Sequence, residues 1–189
     1  MKNDKLKNIL YLSIPETMER EIGDFTINPA IVLPVEKPSE NWDISELSWE
    51  MVIAGMLKVL AYDPDNKHTD YYRSFVLAVR PQITAELTEA AIIKAEDKDY
   101  DLAEELFRTA QSVEPASPEH LLNLAALFEQ RRQLYIELDK QNLAREYEKG
   151  AEEAYEKAIG VFGKNPDILY PAAVFYLKKN DLARSVQLF

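Results

Sequence analysis

A run of acidic and amide side chains, Asp63, Asp65, Asn66 and Asp70, is the first candidate for metal chemistry in this sequence. A calcium loop needs oxygen ligands at alternate positions and a glycine where the loop turns sharply. Lys67 stands where such a loop has an oxygen ligand, and no glycine lies within the run. We therefore interpret the run as a connection between two helices and expect no metal site there.

The two histidines, His68 and His120, are isolated in the sequence, and each follows a turn signal. A zinc site would need further ligands to converge on them, and the chain has no cysteine. The sequence also contains no Gly-rich phosphate loop, nucleophile elbow or paired-histidine zinc motif. We expect both histidines on the surface at helix N-termini, in a protein without catalytic residues, cofactor or metal.

A cluster of glutamates in the C-terminal half is a second place to look for acid–base chemistry, which uses paired carboxylates. Basic residues alternate with these glutamates at helical spacing, as in a solvated helix face with i,i+4 ion pairs. We therefore predict such a face and not a catalytic site. The glutamates are Glu146, Glu148, Glu152, Glu153 and Glu156, and the basic residues are Arg145, Lys149 and Lys157.

The chain of 189 residues is strongly acidic, with 33 acidic against 22 basic residues and a net charge of −11. Nucleic-acid binding needs clustered Lys and Arg to neutralise phosphates, so nucleic acid is excluded as an expected partner. The apolar run from Ile9 to Ile14 meets Pro15 and Glu16, which disfavours a signal peptide. No run approaches the roughly 20 apolar residues that span a bilayer. We expect a soluble, cytoplasmic protein that binds no membrane.

The elements that position these side chains are helices. Between Asp99 and Ser117 the apolar residues recur every three or four positions and therefore share one helical face. Ala103 and Ala110 flank the large Phe107, which suits a helix packed closely against a neighbour. Pro115 marks the end of this helix.

This order of small, aromatic and small residues followed by proline resembles the second helix of a tetratricopeptide (TPR) repeat. The 34 residues from Thr84 to Ser117 match the length of that repeat. In the first helix of this unit, Leu87 stands where the family usually has tryptophan. Ala90 and Ala91 replace its leucine–glycine pair, and Lys94 replaces a tyrosine.

Two further units follow in the same register. The unit 118–165 is longer than the family repeat, so we expect two extra turns on each helix, with the chain turning near Lys140. The third unit, 166–189, is incomplete. The resemblance implies an all-α, right-handed superhelix of antiparallel helix pairs. The matching positions are Leu121, Leu124, Ala125, Phe128, Ala151, Tyr155 and Ala158 in the second unit, and Leu169, Ala172, Ala173, Tyr176, Ser185 and Phe189 in the third.

Residues 1–41 differ from the rest of the chain. Their β-favouring residues are interrupted by Pro29, Pro34 and Pro38, and proline donates no ladder hydrogen bond. We predict an extended arm docked on the helices, with a short helix around Thr17 to Ile22. The alternative is a partly disordered tail.

Residues 42–83 are predicted to form a helical pair that precedes the repeats. Asp43 and Glu46 have the spacing of a capping box, so the first helix is expected to begin at Asp43 and to end near Tyr62. The second helix is expected from His68 to Arg80, because Pro81 follows.

TPR repeats bind peptides or proteins on a concave surface lined by their first helices, so the resemblance implies such a groove here. The mapped groove residues are Ala85, Thr88, Ile92 and Glu96 in the first unit, Glu119, Leu122, Asn123, Ala126 and Gln130 in the second, and Asp167, Tyr170, Val174 and Lys178 in the third.

Some members of this family grip an acidic C-terminal tail with Lys, Arg and two asparagines. Of those positions only Asn123 matches, since Thr88, Ile92, Asp167 and Pro171 occupy the others. We therefore expect an apolar or basic partner segment in preference to an acidic tail.

Three functions remain open from the sequence. The first is a non-catalytic scaffold that binds a partner protein or peptide in the groove. The second is an N-terminal regulatory or docking domain of a larger enzyme or of a secretion or assembly component, since the last helix ends abruptly at Phe189. The third is self-association through the C-terminal end, where a solenoid usually has a polar capping helix.

Overall fold

The computed structural model describes residues 5–13, 21–22, 25–39 and 41–189, and this part of the chain is mostly helical. Four short strands precede the helices: β1 (Ile9–Leu12), β2 (Glu21–Ile22), β3 (Phe25–Thr26) and β4 (Leu33–Glu36). The α-helices are α1 (Trp49–Tyr62), α2 (Thr69–Val79), α3 (Ile83–Glu96), α4 (Tyr100–Val113), α5 (Pro118–Glu137), α6 (Gln141–Phe162), α7 (Pro166–Lys178) and α8 (Leu182–Leu188). The predicted helical class is confirmed at this level, while the right-handed superhelix remains a prediction.

The chain forms two compact units. Unit 1 contains the described residues of Met1–Glu89 together with Arg108–Glu114. Unit 2 contains Ala90–Phe107 and Pro115–Phe189. In the described ranges, none of the helices is both long enough and apolar enough to cross a membrane.

In unit 1, β1 and β4 form an antiparallel pair in which Tyr11 lies opposite Pro34. The Lys37 amide donates to the Asn8 carbonyl at 3.0 Å, which fixes the alternation of hydrogen-bonded pairs along the two strands. Pro34 therefore falls at a pair that exchanges no hydrogen bonds, and its missing N–H costs the ladder nothing. The extended arm that the sequence predicts therefore contains a two-stranded pair, in which both strands are edge strands and proline is tolerated.

The rest of the N-terminal segment also contains paired residues. β2 and β3 form a second antiparallel pair, with Ile22 opposite Phe25. The predicted helix around Thr17 to Ile22 lies largely outside the described residues, and its last two residues form β2. Ile27, Leu33 and Val35 are buried in one core with residues of α1 and α2. Burial of these apolar side chains holds the segment on the helices of unit 1.

The start of α1 differs from its prediction. The Asp43 carboxylate accepts a hydrogen bond from the Ser45 amide at 2.9 Å and caps a single 3-10 turn, Ile44–Glu46. The backbone then becomes extended, and α1 begins at Trp49 with Ser48 as its N-cap. Short Asp and Ser side chains both compete for nearby amides, so two capping residues five positions apart produced two starts. The end at Tyr62 is as predicted.

Unit 2 is built from helical hairpins. The two long helices α5 and α6 have 20 and 22 residues, and the turn between them contains Asp139 in the left-handed region at φ 55°. The predicted lengthening of this hairpin is confirmed. Phe107, Tyr155 and Ala172, which the register predicted to be buried, are at most 4% exposed.

Candidate functional site

The Asn123 cleft is a depression of about 190 Å³ in unit 2. Helix α3 supplies three side chains, α4 one and α5 four, at spacings of three and four that place them on one face of each helix. The lining residues are Ile92, Ala95, Glu96, Phe107, Asn123, Ala126, Leu127 and Gln130.

The floor of the Asn123 cleft is apolar and its sides carry polar groups. Phe107 and Leu127 are buried, whereas Ile92 is 46% exposed. The Asn123 Nδ2 atom is buried and has no hydrogen-bond partner among the residues that the structure describes. A buried donor left without an acceptor is costly, so an incoming carbonyl or carboxylate oxygen would be stabilised there. The cleft thus combines an apolar surface with one directional donor.

The Lys178 cleft, of about 320 Å³, adjoins the first through Gln130, which lines both. Its basic side chains are each paired with a glutamate. The nitrogen–oxygen distances are 3.1 Å for Lys178–Glu129, 2.6 Å for Arg132–Glu148 and 2.7 Å for Lys179–Glu152. The lining residues are Glu129, Gln130, Arg132, Gln133, Glu148, Phe175, Lys178 and Lys179.

The structure brings some of the predicted groove residues together and leaves others apart. Ile92, Glu96, Asn123, Ala126 and Gln130 line the Asn123 cleft, and Lys178 lines the cleft beside it. Thr88 is buried in unit 1, and Ala85 is exposed there. The remaining predicted residues line neither of these two clefts: Glu119, Leu122, Asp167, Tyr170 and Val174.

Sequence reasoning missed Glu129 as a lining residue. Glu129 precedes Gln130 in α5, and neighbouring residues on a helix point about 100° apart. The repeat register that assigned Gln130 to the groove therefore left Glu129 outside it. The Tyr155 hydroxyl donates to Glu129 Oε1 at 2.8 Å, and Lys178 Nζ lies 3.1 Å from Oε2. Burial of the Tyr155 ring, together with the carboxylate beside it, raises the pKa of the phenol. Glu129 is therefore a fixed anion, anchored by a phenol that remains protonated.

The glutamates of α6 do not form the predicted face of i,i+4 pairs alone. Lys149 and Glu153 make such a pair at 3.4 Å. Glu148, Glu152 and Glu156 lie four residues apart, and each binds a basic residue from a different segment: Arg132, Lys179 and Arg184 respectively. The prediction of a solvated face holds for the exposed Glu146 and Glu153. It is wrong for Glu148, Glu152 and Glu156, because their basic partners lie outside α6.

The distal face is an exposed apolar surface on the last helical hairpin. Tyr170 of α7 meets Phe189 in an edge-on ring contact with centroids 6.0 Å apart. Val186, one turn before Phe189, is 75% exposed. The distal face comprises Tyr170, Leu177, Leu182, Val186 and Phe189, all at least half exposed.

The histidines differ from each other. His68 precedes α2 and is partly buried, with its ring centroid 6.0 Å from that of Tyr72. His120 is only 4% exposed, so its predicted surface position is wrong. It lies in the first turn of α5, on the side of the helix that also buries Leu121 and Leu124. In the part of the chain that the structure describes, no group of three or more acidic or histidine residues is placed to hold a metal ion.

The chain matches no protein-family model, and a search of curated proteins returns no match. The class that the fold defines is therefore a mostly helical protein with two adjoining clefts in unit 2. The TPR resemblance remains a prediction made from the residues.

Proposed function

We propose that this protein is a non-catalytic interaction module whose Asn123 cleft binds an extended segment of a partner protein. The observation that carries the proposal is the convergence of five predicted groove residues on one cleft, around a buried amide nitrogen of Asn123 that has no hydrogen-bond partner in the described part of the chain. A backbone carbonyl of the segment would accept a hydrogen bond from Asn123 Nδ2. An apolar side chain of the segment would cover Phe107 and Ile92.

Two features support an apolar or basic segment. The exposed Glu96 carboxylate has no basic partner within ion-pair distance among the described residues. The chain as a whole carries a net charge of −11, which attracts cationic segments and repels acidic ones over long range. In such a segment, an apolar residue would pack on the floor of the cleft, and a neighbouring basic residue would pair with the Glu96 carboxylate.

The test is selection from a randomised ten-residue peptide library with the purified chain, followed by fluorescence anisotropy on the selected peptides. We expect Asn123→Ala to weaken binding by about 1–3 kcal/mol, or roughly 5- to 150-fold. Asn142→Ala removes an exposed amide at the start of α6 and serves as the control. Thermal melts establish that both variants are folded. Equal affinities of both variants for the selected peptides would exclude the Asn123 cleft.

A second candidate function is self-association through the distal face, favoured by the Tyr170–Phe189 contact and the exposure of Val186. Strongly acidic chains repel each other, so a contact between two copies is favoured at a surface that is apolar. Sedimentation velocity over a concentration series tests this. We expect Val186→Asp to abolish any increase in sedimentation coefficient, while Leu138→Asp, at an exposed apolar residue of the α5–α6 turn, leaves it intact.

A further inference from the structure

Glu129 lies at the junction of the two clefts, next in sequence to the shared residue Gln130. Its side chain is 23% exposed, and Tyr155 fixes one carboxylate oxygen from the helix behind it. The second oxygen faces Lys178. The anion is thus held in place from the protein side, while its charge partner comes from the cleft side.

Lys178 is held far less firmly than Glu129. It is the last residue of α7, and its side chain is 63% exposed. An exposed ion pair contributes little to stability, because water screens it and the lysine must give up rotational freedom. Lysine carries its charge on a flexible four-carbon stem. Lys178 can therefore leave Glu129 at small cost, whereas Glu129 cannot follow it.

We propose that Lys178 occupies, in the unbound protein, the position that a lysine or arginine of the bound segment takes beside Glu129. The inference rests on the proposed function and specifies its ligand: a segment with a basic residue at Glu129 and an apolar residue in the Asn123 cleft. Lys178 is an internal competitor for the anion. It lowers the affinity for basic segments and makes binding depend on the apolar residue.

Charge supports this assignment over its reverse. Glu96 adds a second carboxylate in the Asn123 cleft, and the other two cations of the Lys178 cleft are paired with Glu148 and Glu152. A basic segment could approach the Glu96 carboxylate directly, and at Glu129 it would have to displace only the exposed Lys178 side chain. An acidic segment would instead meet Glu96 and gain only Lys178. In that case Lys178 would be an anchor for the ligand, and its removal would weaken binding.

The experiment uses two labelled ten-residue peptides, one an alternating Lys–Leu repeat and the other an alternating Glu–Leu repeat, with the full chain in anisotropy titrations. Lys178→Met keeps the length of the stem and removes the charge. Lys164→Met makes the same charge change at an exposed lysine outside both clefts. We expect Lys178→Met to bind the Lys–Leu peptide about two- to fivefold more tightly than Lys164→Met does. Glu129→Gln should weaken binding of the Lys–Leu peptide. In the double variant Glu129→Gln/Lys178→Met, the tighter binding that Lys178→Met gives alone should be absent.

Each other outcome overturns the inference. Equal affinities of the two Lys→Met variants, or weaker binding by Lys178→Met, would show that Lys178 does not compete. A Glu–Leu peptide that binds more tightly and depends on Lys178 would make that lysine an anchor. If Asn123-dependent binding persists without a Lys178 effect, only this inference fails. If no peptide, including those from the library, binds through Asn123, the proposed function fails with it.

Discussion

Arg131 and Tyr147 are in cation–π contact in unit 2, with the guanidinium carbon of Arg131 4.2 Å from the centroid of the Tyr147 ring. The same guanidinium donates to Asp101 at 2.7 Å and to Glu104 at 2.9 Å. Its side chain is only 7% exposed. The guanidinium group of Arg131 therefore connects α5 to two other helices: its N–H groups donate to carboxylates of α4, and its planar face lies over the Tyr147 ring of α6. Lysine does not offer this geometry.

Arg131→Met is expected to lower the free energy of unfolding by about 1.5–3 kcal/mol. It removes charge-assisted hydrogen bonds and takes the Arg131 cation away from the partly buried Glu104 carboxylate. Arg131→Lys should recover only part of this loss. Urea unfolding monitored by circular dichroism measures both, with Arg145→Met, at an exposed arginine of α6, as the control. A Met variant as stable as the wild type would mean that the contacts add nothing.

Gly55→Ala is expected to destabilise the protein although alanine favours helices. A Cβ at Gly55 would lie 2.6 Å from the Pro34 carbonyl carbon and 2.8 Å from the Val35 nitrogen, both backbone atoms of β4. Gly160→Ala is the matched control, since a Cβ there meets nothing within 4 Å. We expect that control to gain up to about 1 kcal/mol from helix propensity. Thermal melting of the two variants should therefore shift in opposite directions, and shifts of the same sign would contradict the close approach of β4 to α1.

Glu156→Gln is expected to weaken the protein near neutral pH but not in acid. Burial disfavours the charge of Glu156, but hydrogen bonds from Tyr176 (2.6 Å) and Arg184 (2.8 Å) outweigh it and lower the pKa of this carboxyl. Because the pKa is lower in the folded state, the ionised Glu156 stabilises the folded protein at pH values above the unfolded-state pKa. This stabilisation is lost as the pH falls through the folded-state pKa. Urea unfolding at pH 7 and pH 3 should show a penalty for the variant that shrinks in acid. Glu153→Gln, at the exposed pair with Lys149, should show little at either pH.

Tyr72→Phe is expected to reduce the loss of stability in alkali. Tyr72 is fully buried, and its hydroxyl donates to the Val32 carbonyl at 3.0 Å. Burial, aided by the charges of Tyr11 and Tyr71, raises the pKa of Tyr72 from 10.0 to about 12. Because the pKa is higher in the folded state, the protonated Tyr72 hydroxyl contributes its full stabilisation below the unfolded-state pKa. This contribution is lost as the pH rises from about 10 to 12. Denaturant unfolding across this range tests the difference, with Tyr170→Phe, at an exposed tyrosine, as the control. Parallel curves for wild type and Tyr72→Phe would contradict the burial argument.

The helices of unit 2 could be predicted from the sequence because their signals are local. Pro118 and Pro166 stand at the first position of α5 and α7, and apolar residues recur with helical spacing between the turns. The strands could not be predicted in the same way. Whether Pro34 breaks a strand depends on which side of the pair its nitrogen faces, and that is set by the register with β1.

The candidate site was predictable only in part for a similar reason. Asn123, Ala126 and Gln130 share one face of α5, and the resemblance to the repeat family implied that this face lines a groove. The Glu129–Lys178 pair joins residues 49 positions apart, and it depends on how α5 and α7 approach each other. No pattern within either helix specifies that distance.

The spacing of Glu148, Glu152 and Glu156 makes α6 a common reference for the rotation of its neighbours. Each carboxylate meets a partner from a separate segment, so all three contacts require the same angular setting of one helix. A single residue inserted between Glu148 and Glu152 would turn everything after it by about 100°. The contact to Arg132 could then survive only if those to Lys179 and Arg184 were given up. We therefore expect unit 2 to tolerate substitutions along α6 far better than changes in the length of that helix.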